Sequence, residues 1–190
     1  MSDFIGIMDL EFTAWEGSQQ RGWSGEGEER EIVQIGALIL SDDDALGEAG
    51  AFDALVRPRI NPELSDYFID LTGITQARLD AEGVSFELAL ARLDAFFDGV
   101  NGQIYSMGPD HDVIEHNCAL YDVAYPFDNS RFSNMRPFLE MTVGVEVSRA
   151  DSSQLPQYLD FENPGIAHQG IFDCRCIAET LRILRRQGQF

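Results

Sequence analysis

Residues 4–12 read FIGIMDLEF, a short apolar run with two carboxylates near its end. A run of this length and composition is typical of a buried β-strand. Side chains alternate between the faces of a strand, so Asp9 and Glu11 are expected to project from the same face. Two like charges at the buried end of a strand are unfavourable unless a cation lies between them. On an exposed strand the same two carboxylates would simply be solvated, but the apolar residues around them indicate a central strand.

Further apolar runs predict more strands and their pairing. EIVQIGALIL (31–40) and AFDALVRP (51–58) have strand composition, and the short turn between them favours an antiparallel hairpin. QIYSMG (103–108) predicts a fourth short strand. The segment 126–134 has no clear periodicity and is expected to be irregular.

Helical patterns occupy much of the remaining chain. Asn61-Pro62 has helix-start chemistry with a stop at Gly73, and a second helix is expected after the cap Ser85. A third helix is predicted to begin at Asp110, and a closing helix covers 173–187. Shorter helical pieces are predicted near 136–145 and 152–159. This order predicts one α/β domain over residues 1–190.

The charge balance excludes several classes of function. The chain has 33 acidic residues against 13 basic ones, a net charge of −20, and every basic residue is arginine. The absence of lysine excludes a phosphate-loop lysine and Schiff-base chemistry. Strong acidity argues against a broad duplex-binding face. Divalent cations bound by carboxylates would reverse the field locally.

The sequence contains few features that indicate a cellular compartment. The N-terminal segment lacks a basic lead and a long apolar run, so no signal peptide is expected. No stretch approaches the roughly 20 apolar residues that span a membrane. The cysteines Cys118, Cys174 and Cys176 form neither a CxxC pair nor an even set. We therefore expect reduced thiols and a cytoplasmic protein; a redox pair of Cys174 and Cys176 is the less favoured alternative.

Three more residues are candidates for a site with the first-strand acids. Asp110 follows the fourth strand at the start of a helix, where it is either a helix cap or a site residue, and Asp112 is its rival. His168 precedes Asp173 by five positions, which on one regular helix would set the side chains about 140° apart. The spacing therefore favours His168 on a loop and Asp173 in the first turns of the closing helix. His111 and His116 are given structural roles.

Together these residues supply the groups needed for two-metal phosphoryl transfer. Asp9, Glu11, Asp110 and Asp173 offer hard oxygen ligands suited to two Mg²⁺ or Mn²⁺ ions. His168 would be the general base that takes a proton from water.

The chain resembles the DEDDh 3′–5′ exonuclease superfamily, which includes ribonuclease T and oligoribonuclease. IMDLEFTAWEG resembles the first motif of that superfamily and AHQGIFDCRCIAETL its third. EIVQIGALIL, VRPRINPELSDYFIDLTGITQ and SFELALARLDAFF resemble the branch of small exonucleases related to Eri and KapD. The resemblance runs over nearly the whole chain.

This resemblance implies a ribonuclease H-like fold, with a five-stranded mixed sheet flanked by helices. It implies two divalent cations held by the four carboxylates, His168 as the base, and removal of 5′-monophosphates from the 3′ ends of single-stranded RNA or DNA or of short oligonucleotides. Phe12 and Thr13 would hold the terminal nucleotide, and Trp15 would stack on a base; core packing is the alternative for Phe12 and Trp15.

The second motif departs from the family pattern. The family has Trp-Gly-x-x-Asp, whereas SMGPDHD has Met107 in place of the tryptophan and one residue fewer before Asp110. Counting back from Cys118, which matches a cysteine common in this branch, favours Asp110 over Asp112. The departure and the net charge keep two other functions open: a nuclease-fold binding protein without catalysis, and a phosphodiesterase acting on small dinucleotides.

The candidate partners for substrate phosphates are arginines, namely Arg57, Arg59, Arg136 and the group Arg182, Arg185 and Arg186.

Overall fold

A five-stranded mixed sheet forms the centre of the molecule, in the order β3-β2-β1-β4-β5. The computed structural model describes residues 3–165 and 168–190. The strands are β1 (Phe4–Phe12), β2 (Ile32–Ser41), β3 (Glu48–Leu55), β4 (Ile104–Ser106) and β5 (Phe132–Asn134). β1 pairs antiparallel with β2 and parallel with β4, and β2 and β3 form the expected antiparallel hairpin. The mixed α/β architecture predicted from the sequence is confirmed.

Helices cover both faces of this sheet. They are α1 (Asp66–Thr72), α2 (Gln76–Glu82), α3 (Phe86–Phe97), α4 (Asp110–Tyr121), α5 (Met135–Thr142), α6 (Val145–Arg149), α7 (Leu155–Leu159) and α8 (Gly170–Arg186). The hydroxyl of Ser85 accepts a hydrogen bond from the backbone N–H of Leu88, so this residue caps α3 as expected. None of the described helices is long and apolar enough to cross a membrane.

The alternation along β1 divides the core between two sets of helices. Ile5 and Ile7 pack in the cluster that contains the apolar residues of α8. Met8 and Leu10 belong to the cluster formed with α3 and α4. Since strand side chains two residues apart share a face, Asp9 and Glu11 continue the face that α8 covers.

Three segments differ from the sequence-based expectation, and one of them is α2, for which the sequence predicted no helix. The segment expected to be irregular contains β5, whose three residues pair in parallel with β4. So short and mixed a segment carries no periodic signal, and its strand conformation comes from that pairing. The first helix begins at Asp66 and is capped by Ser65, so the predicted start at Asn61-Pro62 was wrong.

The buried carboxylate of Glu31 explains that later helix start. It accepts hydrogen bonds from the backbone N–H groups of Arg59, Ile60 and Asn61 at 2.6, 2.7 and 2.6 Å. These bonds hold the segment in a turn around the carboxylate, which is incompatible with helix at the same residues. The stop at Gly73 is confirmed, because its φ of 70° ends the helix in the left-handed conformation.

Candidate active site

A cavity of about 310 Å³ opens where β1 ends. Its lining includes all the residues predicted to carry the chemistry: Asp9, Glu11, Asp110, His168 and Asp173. They come from three separate regions of the chain, namely β1, the start of α4, and the start of α8 with the loop before it. The predicted convergence of these side chains is therefore present in the structure.

Close backbone contact brings α8 against the central strands. A Cβ atom added to Gly36 of β2 would lie 2.1 Å from the carbonyl carbon of Gly170, so only glycine fits at this position. The backbone N–H of Gly170 also donates to the side-chain oxygen of Gln34 at 3.1 Å. This packing sets the first turn of α8 beside the carboxyl end of β1 and so brings Asp173 to the first-strand acids.

His168 lies on the loop before α8, as its spacing from Asp173 suggested. Its φ is 57°, in the left-handed region that non-glycine residues seldom adopt. One ligand atom from each of Glu11, His168 and Asp173 lies within 4.8 Å of the others. The imidazole is therefore placed within reach of the same point as two of the carboxylates.

The choice between the two acids of α4 follows from their exposure. Asp110 lines the cavity, whereas the side chain of Asp112 is 59% exposed and contacts His111 at 3.2 Å. His111 stacks on the ring of Phe132, and His116 contacts Glu29 at 3.2 Å. Both histidines have the structural surroundings expected of them.

The four carboxylates are held in an environment that disfavours their charge. Burial, opposed by a hydrogen bond from Ser152 and reinforced by the charge of Asp151, raises the pKa of Asp9 to about 7. Burial and the neighbouring Asp9 raise the pKa of Asp173 to about 8. The pKa values of Glu11 and Asp110 are also raised, mainly by burial and to a lesser extent by neighbouring acids. Like charges have thus been brought together out of water.

This donor set fits divalent cations. Asp173 is 3% exposed, and its Oδ1 atom is buried with no hydrogen-bond partner among the described residues. A buried carboxylate oxygen without a donor is unfavourable unless it contacts a cation. Clustered carboxylate oxygens are ligands that Mg²⁺ and Mn²⁺ accept.

Apolar and aromatic side chains form the other wall of the cavity. It includes Phe12, Trp23, Phe68 and the two partly exposed residues Tyr67 and Leu71 of α1. The indole N–H of Trp23 donates to the carbonyl of Thr13 at 2.8 Å, and its ring meets that of Phe12 edge-on at 5.3 Å. These contacts hold the Trp23 ring in place at the cavity.

The three residues proposed to bind the terminal nucleotide are placed differently from one another. Phe12 lines the cavity. Thr13 is buried, and its hydroxyl bonds to the backbone of Glu29 and Glu31, so its side chain fixes the loop that follows β1. Trp15 is not among the described residues that line the cavity, whereas Trp23 is.

Most of the candidate phosphate partners are engaged elsewhere. Among the described lining residues Arg136 is the one arginine, and it donates to the carbonyls of Met107 and Ser148 at 2.7 Å each. Arg59 pairs with Glu87, and Arg57 donates to the carbonyl of Asp80. The arginines near the end of α8 pair with acidic side chains: Arg182 and Arg186 with Glu179, and Arg185 with Asp42.

Sequence reasoning missed three parts of the site, one of which is the wall from α1 that contains Tyr67 and Leu71. Trp23 lies in the Gly-rich segment 17–30, which composition identifies only as a loop. The segment Asp151–Ser153 lines the cavity from a 3₁₀ turn, and Ser152 Oγ donates to Asp9 Oδ1 at 2.9 Å. Serine and aspartate beside a short helix are typical of helix caps, so no signal in the sequence identified them as site residues.

Comparisons with known proteins agree with this geometry. Residues 7–181 match the family model RNase_T, described as exonuclease. The chain is 26% identical over 191 residues to 3'-5' exoribonuclease 1 of Homo sapiens, covering 96% of this chain and 53% of that protein. It is 27% identical over 123 residues to ERI1 exoribonuclease 2 of Xenopus laevis, covering 63% of this chain and 17% of that protein. The chain thus spans about half or less of the length of these relatives.

Solved structures share the fold. The nuclease domain of 3'hExo, described as a DEDDh family member bound to rAMP, superposes with a TM-score of 0.83 at 24% identity, over 98% of this chain and 94% of that one. Cell-death related nuclease 4 (CRN-4) gives a TM-score of 0.79 at 18% identity, over 98% of this chain and 65% of that one. At these identities the likeness shows the ribonuclease H-like fold of the DEDDh nucleases.

Proposed function

The chain belongs to the RNase_T exonuclease family, and from this premise we propose that it is a metal-dependent 3′–5′ exonuclease. Its substrates would be the 3′ ends of single-stranded RNA, with DNA and short oligonucleotides as further candidates, and its products 5′-monophosphates. The observation that carries the proposal is the convergence of Asp9, Glu11, Asp110 and Asp173 with His168 in one cavity. The three free, buried cysteines favour a reducing compartment, and we propose the cytoplasm.

In this proposal the four carboxylates hold two divalent cations, Mg²⁺ or Mn²⁺. Bound cations of this kind neutralise charge on a phosphodiester and make a water molecule more acidic. His168 accepts the proton of the attacking water, for which its position beside Glu11 and Asp173 is suitable. The wall that contains Phe12 and Trp23 offers aromatic surface on which the base of the terminal nucleotide stacks.

The test is degradation of 5′-labelled single-stranded RNA and DNA, and of a dinucleotide, with manganese, magnesium or a chelator. A metal-dependent ladder that shortens from the 3′ end supports the proposal. Turnover of the dinucleotide alone would favour a small-substrate phosphodiesterase. Metal binding without turnover of any substrate would favour a binding protein of nuclease fold.

Two acids in the first turn of α4 provide a test variant and its matched control for that assay. Asp110→Asn removes a carboxylate from the cavity, and Asp112→Asn removes an exposed one two positions away. We expect the first variant to lose activity and the second to retain it. Equal activity of both variants would contradict the placement of the site.

A further inference from the structure

The hydrogen bond between Ser152 and Asp9 joins two parts of the chain that are 143 positions apart. Ser152 is 7% exposed and begins the 3₁₀ turn Ser152–Gln154. Its hydroxyl donates to Asp9 Oδ1 at 2.9 Å, a normal length for a bond to a carboxylate. The hydroxyl therefore faces a proposed metal ligand from a segment that contributes none of the four family carboxylates.

Two hydrogen bonds close the turn that carries Ser152. The carbonyl of Asp151 accepts from the backbone N–H of Gln154 at 2.9 Å, and the side chain of Gln154 accepts from the backbone N–H of Asp151 at 3.1 Å. Leu155, which follows the turn, is buried in the core cluster shared with α8. The residue after the turn therefore packs in the same core cluster as α8, the helix that carries Asp173.

Asp9 depends on this donor for its orientation. The strand fixes the backbone of Asp9, but it leaves the rotation of the carboxylate about its own side chain free. A hydrogen bond to one oxygen selects one orientation and directs the other oxygen elsewhere. Partners of this kind orient ligating carboxylates in metal sites, and losing them typically costs 10- to 100-fold in metal affinity or activity.

We infer that Ser152 is a positioning residue, which holds the Asp9 carboxylate in the orientation that binds the divalent cations. The inference rests on the proposed function only in taking Asp9 as a metal ligand. Ser152 touches neither the phosphodiester nor the water in this account. Its effect reaches the reaction through Asp9.

The experiment measures Mn²⁺ binding by calorimetry and the Mn²⁺ concentration that gives half-maximal cleavage of labelled single-stranded RNA. Ser152→Ala should weaken Mn²⁺ binding and raise the half-maximal concentration, each by 10- to 100-fold. Ser152→Thr keeps the hydroxyl and should remain within about threefold of the parent protein in both measurements. A general packing role would not give this rescue, because threonine changes the packed volume while it retains the donor.

Thr180→Val is the matched control for loss of a buried hydroxyl. Thr180 is fully buried, and its hydroxyl donates to the carbonyl of Cys176 within α8 at 2.9 Å, away from the carboxylates. This variant should lose stability without a change in Mn²⁺ affinity. If Ser152→Ala fails to fold, Ser152→Cys decides, because a thiol has similar shape and is a weak donor.

The outcomes separate this inference from the proposed function. Unchanged Mn²⁺ affinity in folded Ser152→Ala, or in Ser152→Cys, would overturn the positioning role even if the parent protein degrades RNA. A lower Mn²⁺ affinity that threonine restores would support the role even if the parent protein degrades none of the tested substrates.

Discussion

Gly36 and Gly170 meet backbone to backbone, and this contact joins the central sheet to the helix that carries Asp173. Neither position has room for a methyl group, because a Cβ on Gly36 would overlap the Gly170 backbone and a Cβ on Gly170 would lie 2.9 Å from the Gly36 nitrogen. The distance between the first-strand acids and the closing helix is therefore set by two residues that carry no chemistry of their own.

Gly36→Ala tests this contact. We expect α8 to shift outward, with a loss of about 1–3 kcal/mol in the free energy of unfolding and a large loss of nuclease activity. Gly99→Ala is the control, because a Cβ there meets nothing within 4 Å. Denaturant unfolding and the exonuclease assay check both variants. Full activity of Gly36→Ala would show that the close contact does not position the site.

His168→Ala tests the general base. The four carboxylates remain in this variant, so Mn²⁺ should still raise the melting temperature nearly as much as in the parent protein. Activity should fall by about 10²–10⁴-fold, the usual contribution of a positioned base. Steady-state kinetics at neutral pH provide the measurement. An unchanged rate would remove His168 from the mechanism.

Asp9→Ala should abolish activity and metal stabilisation together. Asp9 is among the charges that raise the pKa values of Glu11, Asp110 and Asp173. Its removal should therefore relieve repulsion, and the metal-free variant should lose less stability than a buried truncation normally costs. Melting curves with and without Mn²⁺ test both effects. A melting temperature that still rises with Mn²⁺ as in the parent protein would contradict the ligand role.

The metal-free protein should lose stability as the pH rises. The folded pKa values of Asp9 and Asp173, about 7 and about 8, lie above the ordinary aspartate value of roughly 3.9 in an unfolded chain. Between these limits the folded state binds more protons than the unfolded state, so the free energy of unfolding decreases with pH. Full stability is expected below about pH 4 for these groups, and their contribution is lost by about pH 8.

Chelator-treated protein should therefore melt at a lower temperature at pH 8 than at pH 5.5, and Mn²⁺ should narrow the difference. Asp173→Asn should flatten the pH dependence, because the amide does not titrate. Asp112→Asn, at an exposed position, should leave it unchanged. A pH dependence that is the same in all three proteins would exclude Asp173 as one of its sources.

Binding of single-stranded RNA should depend only weakly on salt. Each phosphate neutralised by a basic side chain contributes a slope of about −0.7 to the plot of log K against log salt for single strands. Arg136 is the one arginine among the described cavity residues, and its donors already serve two carbonyls. We expect a slope shallower than about −1.5 at saturating Mn²⁺, measured by fluorescence anisotropy with the His168→Ala variant, whose cleavage should be much slower than that of the parent protein. A slope steeper than about −4 would reveal a basic track elsewhere on the molecule.

The sequence predicted the parts of the fold that have strong local signals. The apolar runs of β1 and β2, the cap Ser85 and the stop Gly73 were confirmed because each depends on neighbours in the chain. β5 and the start of α1 were not predicted, because the first depends on pairing with β4 and the second on the buried carboxylate of Glu31.

In the candidate site too, the features encoded by neighbouring residues were predicted and those that depend on distant contacts were not. Asp9 and Glu11 share a face through strand alternation, and the spacing of His168 and Asp173 indicated a loop followed by a helix. Ser152 reaches Asp9 across 143 positions, and no local pattern encodes such a contact. The Trp23 ring lines the cavity from a loop, and its indole N–H donates to the carbonyl of Thr13 ten positions earlier. The loop composition did not predict this contact.

The negative charge at the cavity affects the order in which divalent cations and nucleic acid bind. Five carboxylates line it, namely Asp9, Glu11, Asp110, Asp151 and Asp173. Because the chain carries a net charge of −20, a polyanion that approaches this opening without cations in place meets a repulsive potential instead of electrostatic steering. If the proposed function holds, we therefore expect ordered assembly, with the cations entering first and the nucleic acid second, so that the supply of metal ions governs how fast the protein binds a 3′ end.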